Sequence, residues 1–241
     1  MSKLRPGGEL ASRPLHFIWI LDCSGLMSVE GKIQQLNVAI QETLPHMRAV
    51  ADENPNAKVL MRVLTFSNGA RWHVAAPTPL EDFKWTDVEA DGVTDLGKGL
   101  VMVAEQLRIP PMESRALPPV LVLVSDGQPT DGYKSGLKAI KEQDWGKKAV
   151  RIAIATGRDA DIDVLTQFID HPEIKPLQAN NPDQLVQYIR WASMEVLKQA
   201  SSPASQDGAP GSTGPGGVGV PIPTAQVGGS NPSTSAADDV W

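Results

Sequence analysis

One cysteine, Cys23, stands among 241 residues. That excludes a disulfide framework within the chain and leaves too little sulfur for a thiolate zinc site. The four histidines, His16, His46, His73 and His171, fall at no metal-ligand spacing. No apolar run approaches the ~18 residues that a membrane helix needs. Met1 to Arg13 is polar and lacks the apolar stretch of a secretory signal. Basic residues are not in excess: 22 Lys and Arg against 28 Asp and Glu leave a net charge of −6, the wrong sign for a nucleic-acid surface. Neither a Gly-x-Ser-x-Gly elbow nor a Walker-type phosphate loop occurs. These absences point to a soluble, cytoplasmic protein with neither nucleic acid nor membrane among its partners.

What is present suits one α/β domain with an appendage. Apolar residues make up 41% of the chain, enough for a core. Composition changes near Gln199: from there to Trp241, 21 of 43 residues are Gly, Pro or Ser, with three acids and no base. Such a stretch buries too little apolar surface to offset its ordering entropy. The expected organisation is a flexible N-terminus at 1–13, a domain at 14–198 and a disordered tail at 199–241.

Within the domain, unbroken apolar runs at Leu15–Leu21, Val120–Val124 and Val150–Ala155 suit strands buried on both faces. Val59–Phe66 and Arg71–Ala75 flank Ser67-Asn68-Gly69-Ala70, a hairpin pattern. Helical spacing links Ile33, Leu36, Ile40, Leu44 and Met47, with Pro45 expected to kink or end that helix. It also links Leu96, Leu100, Val103 and Leu107, and again Leu185, Ile189, Ala192 and Val196, after an Asn181 cap and Pro182. Alternating elements predict a doubly wound, mostly parallel central sheet with helices on both faces. Ligands of such sheets bind beyond the C-terminal strand ends.

Two apolar strands run straight into a carboxylate there: Asp22 after Leu21, and Asp126 after Ser125. A charge at such a place is costly without a partner. Hydroxyls lie nearby at Ser24, Thr94 and Ser125, and hard oxygens suit Mg²⁺ or another hard divalent cation. Plainer roles compete. The two Asp residues could serve turns or caps, Thr94 could cap the helix that follows it, and Ser24 could be a turn hydroxyl. Asp95 and Asp131 read as solvated loop or first-turn carboxylates rather than ligands, and Cys23 as a buried small side chain.

Asp22-Cys23-Ser24-Gly25-Leu26, Gly92-Val93-Thr94-Asp95 and Ser125-Asp126-Gly127 resemble, in order and spacing, the three motifs of the metal-ion-dependent adhesion site in von Willebrand factor A domains. The resemblance implies metal ligation through Asp22, Ser24, Thr94 and Asp126. It also implies partner binding at the face carrying those residues and Leu26. Leu26 departs from the pattern, standing where the family has a second serine; leucine offers no oxygen, so one ligand position is lost. Pro79-Leu80-Glu81-Asp82-Phe83, the stretch from Ser125 to Asp131 and the closing helix are similar to the TerY-like group of bacterial tellurite-resistance and stress operons. That similarity implies a phospho-signalling setting, with a Ser/Thr kinase and a PP2C-type phosphatase as partners.

The expected function is a non-catalytic interaction module whose divalent cation is bound weakly or not at all. A metal-independent scaffold, with Leu26 making an apolar contact, is one alternative. A phosphotransfer domain using Asp22 is another. A dehalogenase-type phosphatase would need a carboxylate where Ser24 stands, and a receiver domain would need an acidic pair near the first strand.

Overall fold

The computed structural model describes residues 12–54, 56–158 and 160–201. Most of the expected N-terminal stretch, and the expected tail beyond Ser201, lie outside the described residues.

Six strands form one sheet: β1 (Arg13–Asp22), β2 (Ala57–Ser67), β3 (Gly69–Pro79), β4 (Val120–Ser125), β5 (Val150–Thr156) and β6 (Leu177–Ala179). Their order is β3-β2-β1-β4-β5-β6, with only β3 antiparallel to its neighbour. The helices are α1 (Lys32–Asp52), α2 (Leu96–Gln106), α3 (Tyr133–Glu142), α4 (Asp144–Lys148), α5 (Ile162–Ile169) and α6 (Pro182–Ser201). A 3-10 segment, Gly25–Gly31, joins β1 to α1.

The period-2 alternation of a strand divides the core in two. Phe17, Trp19 and Leu21 of β1 pack with Leu36 and Ile40 of α1 and with Leu185 and Ile189 of α6. Ile18 and Ile20 face the other way, against Leu100 and Val103 of α2, Leu137 of α3 and Leu165 of α5. The sheet is therefore doubly wound, with helices on both faces. Gly136 of α3 and Gly97 of α2 meet so closely that a Cβ on Gly136 would stand 2.7 Å from Gly97 O.

Pro45 neither ends α1 nor interrupts its helical backbone, which continues to Asp52. Leu44 and Met47 stay buried on either side of it. Beyond it, Arg48 donates from Nε to Leu80 O (3.1 Å) and from Nη2 to Phe83 O (2.7 Å). Burying such side chains yields ~1.5–3 kcal/mol each, which offsets the ~3 kcal/mol that an interior proline costs. At the head of α6, Asn181 Oδ1 accepts the Gln184 N–H at 2.9 Å, the cap read from the sequence. This helix runs to Ser201, three residues past the expected end of the domain. The hairpin turn is tighter than expected: pairing resumes at Gly69, whose φ of +87° needs glycine's freedom.

Candidate functional site

The chain passes from β1 to β2 on one side, while β4 pairs with β1 on the other. The connections after β1 and β4 thus leave the sheet in opposite directions and open a crevice between them. Leu21 pairs with Val124, so Asp22 and Ser125 end neighbouring strands together. Asp22 Oδ1 accepts the Ser24 N–H (2.8 Å), and Oδ2 accepts the Ser125 O–H (2.6 Å). Ser125 Oγ in turn accepts the Gly127 N–H at 3.0 Å. Asp126 Oδ1 accepts the Gln128 N–H at 3.0 Å.

A third loop is stitched onto these two through its backbone. Asp91 N–H donates to Cys23 O (2.8 Å) and Gly25 N–H donates to Gly92 O (2.9 Å). Gly92 has a φ of +81°, which lets the loop turn at that contact. Thr94 donates its N–H to Thr130 Oγ1 and accepts the Thr130 N–H on its carbonyl. Asp22, Ser24, Thr94 and Asp126 are in this way drawn to one end of the sheet, each no more than 4% exposed. Leu26 is different. It stands on the rim, 43% exposed, with Val29 and Val93 similarly exposed nearby in sequence or through the Gly25–Gly92 contact. Of the five residues named from sequence as a partner-binding face, only Leu26 is exposed; the other four are buried.

Burial dominates the electrostatics. It pushes the Asp22 carboxyl from 3.8 up to about 6, against hydrogen bonds from Ser125 and Ser24 that favour the charged form. Repulsion from Asp126 adds to the rise but ranks last, so close like charges are a minor cause. Burial also pushes the Cys23 thiol up to about 12, which leaves it without nucleophilic character.

Ser24 Oγ is buried without a well-formed hydrogen bond, although the hydroxyl favours the charged form of Asp22. An orphaned hydroxyl next to two buried carboxylates is the kind of oxygen set that a hard divalent cation completes. Among the described residues no cluster of three or more His, Cys, Asp or Glu could hold a metal. Any ion here therefore depends on Ser24, Thr94 and water for its remaining ligands. These residues suit a hard divalent cation in kind, and Leu26 carries no side-chain oxygen to add to them.

Several plainer roles resolve differently from expectation. Helix α2 is capped across space by Asp131, which accepts the N–H groups of Gly97 (2.7 Å) and Lys98 (2.9 Å). Asp95 stands directly before the first turn of α2 and is buried rather than solvated. Its Oδ2 accepts the Gly69 N–H and the Lys98 ammonium, at 2.7 and 2.6 Å, and ties the hairpin turn to α2. Ser125, one of the three hydroxyls that the sequence places near the strand-end carboxylates, is not in the ligand set that the resemblance implies; its part in the site is to donate to Asp22.

No family model matches the sequence, and a search of curated proteins likewise finds no match. Solved structures do match. The VWA2 paralog of ArnB from Sulfolobus acidocaldarius has a TM-score of 0.56 at 18% identity, over 75% of this chain and 45% of that one. A von Willebrand factor type A protein from Catenulispora acidiphila has a TM-score of 0.57 at 17% identity, over 79% and 43%. Proximal thread matrix protein 1 from the mussel byssus, in a structure whose metal-ion-dependent adhesion site is occupied by zinc, has a TM-score of 0.56 at 16% identity, over 78% and 47%. The chain spans less than half the length of each.

Proposed function

We propose that this chain, whose fold is that of a von Willebrand factor A domain, is a non-catalytic module that binds a partner protein at the crevice between β1 and β4. The observation that carries the reading is the burial together of Asp22, Asp126 and the orphaned Ser24 hydroxyl at the strand ends. Asp22, Ser24, Thr94 and Asp126 would hold a divalent cation such as Mg²⁺. When bound, that ion offers an open coordination position to a partner's carboxylate. The zinc-occupied adhesion motif of the mussel protein supports such a use of this fold. Leu26 supplies no oxygen, so the ion is held weakly.

Phosphotransfer to Asp22 is the enzymatic alternative: incubation with a phosphodonor followed by intact mass decides it, and a phosphoryl group carried on Asp22 would overturn the non-catalytic reading. The metal-independent reading has its own support in the exposed apolar rim of Leu26, Val29 and Val93. As to setting, the TerY-like motifs favour a kinase and a phosphatase as partners, to be sought by co-purification from the native host.

Calorimetric titration with Mg²⁺ and Mn²⁺ tests the site. Leu26→Ser should bind at least about tenfold more tightly than the parent chain, a gain of ~1.4 kcal/mol, within the range of one charge-assisted ligand. Equal affinity in the two proteins would overturn the role given to Leu26. Partner capture that ignores such a difference would favour the metal-independent scaffold.

A further inference from the structure

Beside the crevice, and separate from the buried carboxylates, a cleft of about 470 Å³ opens between the 3-10 segment, the turn after β5 and the turn after β6. Leu26 and Val29 form its apolar side, 43% and 49% exposed. Lys32 and Arg158 bring two cations against the single carboxylate of Glu30, and Asn180 lines the end next to α6. Glu30 and Gly31 are consecutive left-handed residues, with φ of 55° and 70°. This backbone turns the chain sharply between Val29 and Lys32, at the edge of the cleft.

We infer that this cleft is the docking site of residues 238–241 of the same chain, Asp-Asp-Val-Trp. The chemistry is complementary: two carboxylates for Lys32 and Arg158, and two large apolar side chains for Leu26 and Val29. From 199 onward the chain carries three acids and no base, so nothing in it opposes that charge pairing. The reach also fits. Helix α6 starts two residues after Asn180 and has 20 residues, so it carries the chain ~30 Å away from the cleft. From 202 to 238 there are 37 residues, and a Gly-rich linker of that length has a root-mean-square span of about 33 Å. Effective concentration is greatest when linker span and required distance match. The docking uses the cleft's own side chains and requires no cation, so it stands or falls apart from the metal reading.

The test compares amide NMR spectra of the full chain and its D238K/D239K/W241A variant, in a chelator. Shifts are expected at residues 26, 29, 30, 32, 158 and 180, unchanged on tenfold dilution. K32E/R158E should abolish them, and combining K32E/R158E with D238K/D239K should restore them. Three results overturn the inference: no shifts at these residues; shifts that fade on dilution, which would put the segment on a second copy; or shifts that appear only with Mg²⁺, which would put its carboxylates at the metal site.

Discussion

Neutralising Asp22 should stabilise the metal-free protein. In the folded chain its carboxyl is raised from 3.8 to about 6. Between those values the folded state holds a proton that the unfolded chain has released. Stability contributed by this group is therefore present at acid pH and lost as pH rises through about 6. By neutral pH the penalty is about 3 kcal/mol. Asn removes the charge and keeps an oxygen for the Ser24 N–H, but the Ser125 hydroxyl loses its acceptor, at a cost of ~1 kcal/mol. The net expectation for Asp22→Asn at pH 7 is ~2 kcal/mol of added stability, or about 4–8 °C in Tm for a chain of this size. The assay is urea unfolding of both proteins in a chelator, followed by tryptophan fluorescence from pH 4 to 7.5. Carboxylates such as Asp95, held low by the neighbouring Lys98 ammonium, are common to both, so the difference isolates Asp22. It should be small near pH 4 and grow toward pH 7. A difference independent of pH, or an Asn variant less stable at pH 7, would refute the assignment of that buried charge.

Three further outcomes test the packing and the loops. Gly136→Ala places a Cβ 2.7 Å from both Gly97 O and Leu100 Cβ, and should cost ~1–3 kcal/mol by thermal unfolding; an unchanged Tm would mean that α2 and α3 separate easily. Asp131→Ala removes the cap on Gly97 and Lys98 and should cost ~1 kcal/mol, with no loss if water replaces it fully. Cys23, buried and with its thiol pushed up to about 12, should stay unmodified by a thiol reagent until the protein unfolds; rapid labelling of the native protein would contradict its burial.

Sequence patterning alone was enough for five of the six strands and for α1, α2 and α6. The apolar runs of β1, β4 and β5 and the 3–4 spacing in α1, α2 and α6 are local signals that tertiary packing reinforced. The same holds for Asp22 and Asp126, because an apolar strand ending in a carboxylate is visible in one dimension. The short elements were not legible. β6 has three residues and α4 five, too few for any periodic pattern.

Everything that depends on which loop meets which was decided by the tertiary structure. The pairing of Leu21 with Val124 makes Ser125 a partner of Asp22, across 103 positions in the sequence. Asp131 becomes the cap of a helix that begins 35 residues before it, and Asp95 the anchor of a hairpin turn. Pro45 reads as a helix breaker by itself; only the burial of Leu44 and Met47 and the grip of Arg48 on Leu80 and Phe83 carry the helix past it. Leu26 reads as a missing ligand, and its exposure beside Val29 adds an apolar rim that spacing could not reveal. Local composition fixes what each segment can form, whereas burial and long-range hydrogen bonds determine what each polar group must do.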